Sequence, residues 1–186
     1  MVLRRLSTVA LLVLIAVTVA MAVFVVAARP ALARDRDRVD VEWARAASAL
    51  GTRYEQLGEA AGKAADALGE DRTPLAAIRR DVARWKALHF GSGSQTATQV
   101  LLANALEGEV VRLRTLVSST GRLQSAPAVS AAMDALTQTD APGPRRAYDD
   151  AVRVYEHARR GLARRLAATL LGYRSRPTLE VPATTS

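Results

Sequence analysis

The chain begins with a run of apolar positions that has no period, and only then settles into stripes. From Leu6 to Ala28 no residue is charged, and Ser7, Thr8 and Thr18 are its only polar side chains. A helix can return such hydroxyls to its own carbonyls. At about 1.5 Å per residue the run spans roughly 34 Å, against a bilayer core about 30 Å thick. Arg4 and Arg5 precede it; Arg29 and Pro30 close it. The pattern predicts a short N-terminal tail over residues 1–5, a transmembrane helix over 6–28 and a charged juxtamembrane segment over 29–38. A cleaved signal peptide is the competing reading. Its apolar centre would be shorter, about 7–15 residues, and Ala31, Leu32 and Ala33 would supply a small-residue cleavage site. The length of the run favours an uncleaved signal anchor.

Beyond the anchor the apolar positions acquire helical spacing. Val39, Trp43, Leu50, Tyr54, Leu57, Ala61, Ala64 and Leu68 are separated by gaps of three, four and seven, which place them on one stripe. This helix can continue from the span with only Pro30 interrupting. Gly51, Gly58 and Gly62 weaken it by roughly 1 kcal/mol each relative to Ala, or admit a close neighbour. Thr73 is a candidate N-cap and Pro74 suits the first helical position. Leu75, Ile78, Val82, Trp85 and Leu88 follow as a narrow seam. Gly91 to Gln95, "GSGSQ", reads as a flexible connection. A helix is expected from about Thr96 to Thr120, with Val100, Leu101, Leu106, Val110, Leu113, Leu116 and Val117 inward and Gly121 at its end. Ser125 and Pro127 restart a short helix bearing Val129, Met133 and Leu136. Pro142, Gly143 and Pro144 break the chain, and a last helix is expected from about Arg145 to Leu171. No strand-like alternation of useful length and no solenoid repeat occurs. The expected class is all-α: an N-terminal transmembrane helix followed by an antiparallel bundle of four to five helices over residues 39–173, then a flexible tail over 174–186.

Composition agrees with helices and narrows the chemistry. Alanine is abundant and aromatics make up 4% of the chain. The absence of cysteine excludes disulfides, thiolate catalysis and zinc–thiolate sites. The formal net charge is +8. Between Arg145 and Arg176 nine Arg face Asp149, Asp150 and Glu156, a local net of 9 − 3 = +6. Arg146, Arg153, Arg160 and Arg164 form a stripe on the last helix. Two readings stand: a solvated face, or contact with anionic lipid or another protein. Nucleic acid is not expected, because no aromatic side chains interleave with the arginines. Flanking the span, Arg4, Arg5 and the amine lie on one side and Arg29, Arg34, Arg36 and Arg38 on the other. That count tilts towards a cytoplasmic bundle by a small margin.

Catalytic and cofactor motifs are absent. No phosphate-binding loop, HExxH or GxSxG occurs. His89 and His157 stand alone, and the acid pairs Glu107/Glu109 and Glu70/Asp71 read as solvated surface. The one suggestive repeat is Tyr148-Asp149 followed by Tyr155-Glu156. It is either acid–base equipment or two turns of a packed helix. At about 100° per residue, Tyr148, Val152, Tyr155, Leu162, Leu166 and Leu170 share one wide arc. Asp149 and Glu156 then fall four residues before Arg153 and Arg160, the favourable order for surface pairs. Packing accounts for the repeat, and no catalytic residue, metal or cofactor is expected.

The Trp-bearing stretch "VEWARAASALGTRYEQL" and the ending "RRAYDDAVRVYEHARRGLARRLAATLLGYRSRPTLEVP" resemble the LemA family of bacterial membrane proteins. The positions that carry the resemblance are Trp43, Arg53, Leu57, Arg145, Arg146, Tyr148, Val152, Tyr155, Leu171, Gly172 and Tyr173. The family's two asparagines after the tyrosines are replaced here by Asp149 and Glu156. The resemblance implies a single-span anchor and a helical bundle, in the bacterial cell membrane, with no established catalytic activity. The expectation is therefore a membrane-anchored, non-catalytic binding or scaffolding module. A ligand-sensing bundle, and a secreted domain cleaved near Ala33, are the rivals.

Overall fold

The computed structural model describes residues 2–69, 73–88 and 96–179. Among the described residues there are seven helices and no strand: α1 (Val2–Leu68), α2 (Thr73–Ala87), α3 (Thr96–Ser119), α4 (Gly121–Gln124), α5 (Pro127–Gln138), α6 (Pro142–Ala158) and α7 (Leu162–Leu170). The all-α expectation holds. His89, the Gly91–Gln95 connection and the Glu70/Asp71 pair lie outside the described residues. The chain divides into two compact units. One holds residues up to Arg38 with Arg153–Ser175; the other holds Val39–Val152 with the segment from Arg176.

The first unit is built on the N-terminal part of α1. This helix contains a stretch of mean hydropathy 3.0, long and apolar enough to cross a membrane, with none of it buried by protein. Thr18 Oγ1 donates to Leu14 O at 2.8 Å, so this hydroxyl is satisfied by its own helix. Pro30 sits inside α1. Leu32 is buried in this unit together with Ala167 and Ala168 of α7.

Here the sequence expectation needs correction. The helix foreseen from Arg145 to Leu171 is broken at Gly161, whose φ of 100° only glycine adopts without strain. The break resets the helical phase, so the arc anchored on Tyr148 and Tyr155 does not continue. Leu166 and Leu170 are exposed, and the alanines of α7 are buried instead. The side chain of Leu162 lies outside the described residues.

The second unit is an up-and-down bundle. Every residue of the stripe from Val39 to Leu68 is buried. Gly51 lies opposite Trp85, and Gly58 opposite Val82, so α2 runs antiparallel to α1. A Cβ added at Gly58 would stand 3.3 Å from Val82 Cγ1, so this glycine admits a close approach; at Gly62 nothing lies within 4 Å. Leu75, Ile78, Val82 and Trp85 complete that interface as the seam requires. α3 runs parallel to this part of α1, since Trp43 meets Gln99 and Arg53 meets Glu107. The inward face of α3 is Gln99, Val100, Ala103, Leu106, Glu107, Val110 and Leu113; Leu101, expected inside, is 62% exposed. It stands one residue, about 100°, past Val100 and so off that face.

α4, α5 and the start of α6 form the descending arm. Gly121, expected to end a helix, begins the short α4. α5 buries Val129 and Leu136. It starts at Pro127 after Ala126, which offers no capping side chain.

Candidate functional site

The sharpest chemistry in the second unit is a buried ion cluster that the sequence pattern concealed. Glu107 Oε1 accepts from Arg53 Nε at 2.9 Å and from Arg145 Nη2 at 2.5 Å, while Oε2 accepts from Arg53 Nη2 at 3.3 Å. Arg53 also donates to Leu136 O at 3.2 Å. Asp140 lies within 3.8 Å of both guanidinium groups. Two cations thus meet two anions, and α1, α3, α5 and α6 are tied at one point. Glu107 is only 4% exposed, which corrects its reading as solvated surface. Glu109 is buried as well and accepts from Arg112. The signal for Glu107 was available: it lies four residues after Ala103 and three before Val110, on the buried face of α3.

Above this cluster sits a set of interlocking rings. Trp43 meets Trp85 edge-on at 6.4 Å and Tyr148 at 5.1 Å between centroids, and Tyr54 meets Trp85 edge-on at 4.9 Å. Each polar tip has a partner. Trp43 Nε1 donates to Gln99 Oε1 at 2.6 Å, and the Tyr54 hydroxyl donates to Ala103 O at 3.0 Å. Burial pushes the Tyr54 phenol well above its ordinary pKa, and the nearby Glu107 carboxylate adds to the effect. Tyr148 is also raised by burial, against the opposing influence of Arg176. Phenols so held do not ionise near neutral pH and make poor proton-transfer groups.

The two tyrosine–acid pairs are each taken up by the C-terminal segment. In the second unit the Tyr148 hydroxyl donates to Pro177 O at 2.8 Å, and Asp149 Oδ1 accepts from the Leu179 amide at 2.8 Å. Asn104 adds a bond to Thr178 O, and Arg176 pairs with Asp40 at 3.0 Å. In the first unit the Tyr155 hydroxyl donates to Arg174 O at 2.9 Å, and Glu156 accepts from Ser175 Oγ at 2.9 Å. Of the residues placed in a flexible tail by the sequence, 174 and 175 are bonded within the first unit and 176–179 within the second. The ion pair at Glu156 is made by Arg159 at 2.8 Å, not by the Arg160 that the four-residue spacing suggested. Arg159 also lies over the Tyr155 ring, 5.4 Å from its centroid.

Val152 is buried beside Tyr148 in the core set. Gly172 takes φ 69°, and Tyr173 lies under the Arg36 guanidinium at 5.3 Å. Arg146, Arg153, Arg160 and Arg164 are all exposed. A cleft of about 110 Å³ beside the ion cluster is lined by Asp140, Pro142, Arg145, Arg146 and Asp149. Its charges are of mixed sign, so it selects neither anions nor cations. No group of acidic, histidine or cysteine side chains suited to a metal ion occurs among the described residues. In comparisons with family models, curated proteins and solved structures, the chain matches none.

Proposed function

We propose that this is a single-pass membrane protein of bacterial type, a divergent member of the LemA family, whose helical bundle is a non-catalytic binding or scaffolding module at the cytoplasmic membrane surface. The observation that carries this reading is the N-terminal part of α1. An uncharged stretch of mean hydropathy 3.0, unburied by any protein, finds a favourable environment in a bilayer and a costly one in water. The tyrosine–acid pairs that a catalytic reading would recruit are occupied in fastening the C-terminal segment. The resemblance at Trp43, Tyr148, Val152, Tyr155, Gly172 and Tyr173 points the same way, and each of these residues has a packing or closing role: Trp43, Tyr148, Val152 and Tyr155 are buried, and Gly172 and Tyr173 close α7.

The test is fractionation of cells carrying the full chain with a tag at each terminus, followed by protease treatment of intact cells. The expected result is a chain that carries both tags and resists extraction by high salt before protease is added, then loses the external N-terminal tag while the bundle and the C-terminal tag stay protected. Release by salt alone, or a chain starting near Arg34 in the medium, overturns the anchor. Cleavage of the bundle by external protease reverses the orientation.

A further inference from the structure

α7 presents an apolar stripe with no protein over it. Leu166 is 49% exposed and Leu170 71% exposed, while Ala167 and Ala168 are fully buried. The helix thus packs through its small residues and turns its large ones outward, the reverse of a helix folded for water. Two features say what covers this stripe. First, Leu170 shares an apolar groove of about 530 Å³ with Val17, Met21, Val25 and Val26 of α1, all within the candidate span. Whatever solvates that face of α1 also solvates Leu170. Second, exposed Arg164 and Arg165 lie on α7, and exposed Arg160 just precedes it. Large apolar side chains flanked by arginines are the composition of helices that lie in the headgroup–acyl boundary.

The C-terminal end of α7 is closed by a glycine turn. Leu171 N donates to Ala167 O at 3.0 Å, Gly172 N to Thr169 O at 3.1 Å and Tyr173 N to Ala168 O at 2.8 Å. The turn is possible because Gly172 takes φ 69°. The Thr169 hydroxyl donates to Arg165 O at 2.9 Å. The carbonyls of Ala167, Ala168 and Thr169, which water would otherwise satisfy, already have donors.

We propose that α7 is a second membrane contact, an amphipathic helix whose Leu166 and Leu170 enter the acyl layer beside α1 while Arg160, Arg164 and Arg165 engage phosphates of anionic lipids. The inference rests on α1 being the membrane span, and its test separates the two. The chain has no native cysteine, so Leu170→Cys can carry a single environment-sensitive fluorophore on the full-length protein in phosphatidylglycerol-containing vesicles. Val19→Cys reports the span, and Ser130→Cys reports an exposed position on α5. Leu170 is already exposed, so the substitution leaves packing intact.

The expected result is quenching of the Leu170→Cys label by lipids brominated on the acyl chain and protection from aqueous iodide, as at Val19→Cys and opposite to Ser130→Cys. A Leu170→Cys label quenched by iodide while Val19→Cys stays protected overturns the role of α7 and leaves the anchor standing. Iodide quenching at both sites overturns the anchor, and this inference with it. A Leu170→Cys label shielded from both quenchers means that protein covers the stripe, and also overturns the inference. Replacing Arg164 and Arg165 together by Gln should raise iodide access at Leu170→Cys; unchanged access removes the arginines from the contact.

Discussion

Tyr148 shows how one side chain can carry both packing and polarity. Its ring is fully buried against Trp43, and its hydroxyl reaches Pro177 O. Tyr148→Ala should cost about 3–5 kcal/mol, the usual loss for a buried aromatic. Tyr148→Phe keeps the ring and should cost only about 1 kcal/mol, the net value of one hydrogen bond. Thermal melting of the detergent-solubilised chain distinguishes the two, and equal losses would mean that the hydroxyl, not the ring, matters. The raised pKa values of Tyr54 and Tyr148 add a pH signature. Each phenol holds its proton to higher pH in the folded chain than in the unfolded one. Their contribution is therefore complete below the ordinary value of 10.0 and is lost as pH rises above it. Arginines stay charged over this range. Denaturant midpoints should fall as pH passes about 10, and less steeply in Tyr148→Phe. Glu107 is the second critical residue. Glu107→Ala leaves Arg53 and Arg145 buried without their shared carboxylate and should cost about 3–5 kcal/mol. A loss under about 1 kcal/mol would show that the guanidinium groups find water or Asp140 instead.

At the scale of elements, glycines and prolines decide where helices meet and stop. Gly58 lets Val82 approach, whereas Gly62 faces open space. Gly62→Ala should therefore stabilise the chain by about 0.5–1 kcal/mol through helix propensity alone. Gly58→Ala should gain less or destabilise, because its Cβ must press on Val82. Comparing the two midpoints isolates the packing effect from the propensity effect, and identical gains would rule out the close approach. The stripes from Val39 to Leu68 and from Leu75 to Trp85 were legible because an uninterrupted helix keeps its phase. The face of α7 was not, because Gly161 resets the phase between Tyr155 and Leu166. Glu107 was missed for a different reason. A carboxylate reads as surface until a partner is known, and its partners Arg53 and Arg145 lie 54 and 38 residues away in the chain.

For the whole molecule, the controlling feature is the apolar part of α1. Charge at its centre should be expensive: Leu14→Arg and Val19→Arg together face a penalty of about 2.5–3.5 kcal/mol per residue on insertion scales. The double variant should lose stable membrane association in salt-washed membranes, whereas the same change at the exposed positions Val41 and Val154 should not. Retention of the double variant would mean that something other than this segment holds the chain.

Local, repeating features were determined by the sequence alone: the all-helical class, the apolar run long enough to span, and the stripe from Val39 to Leu68 that buries Trp43 and Tyr54. These depend on spacing along one helix, which the order of residues sets directly. The tertiary structure alone decided that Glu107 is buried between two arginines, that the C-terminal segment is fastened by Tyr148, Asp149, Tyr155 and Glu156, and that α7 packs by alanines with its leucines outward. Each of these depends on groups distant in the chain meeting in space, or on a single backbone dihedral at Gly161 or Gly172; the period of α3 puts Glu107 on the buried face but names none of its partners.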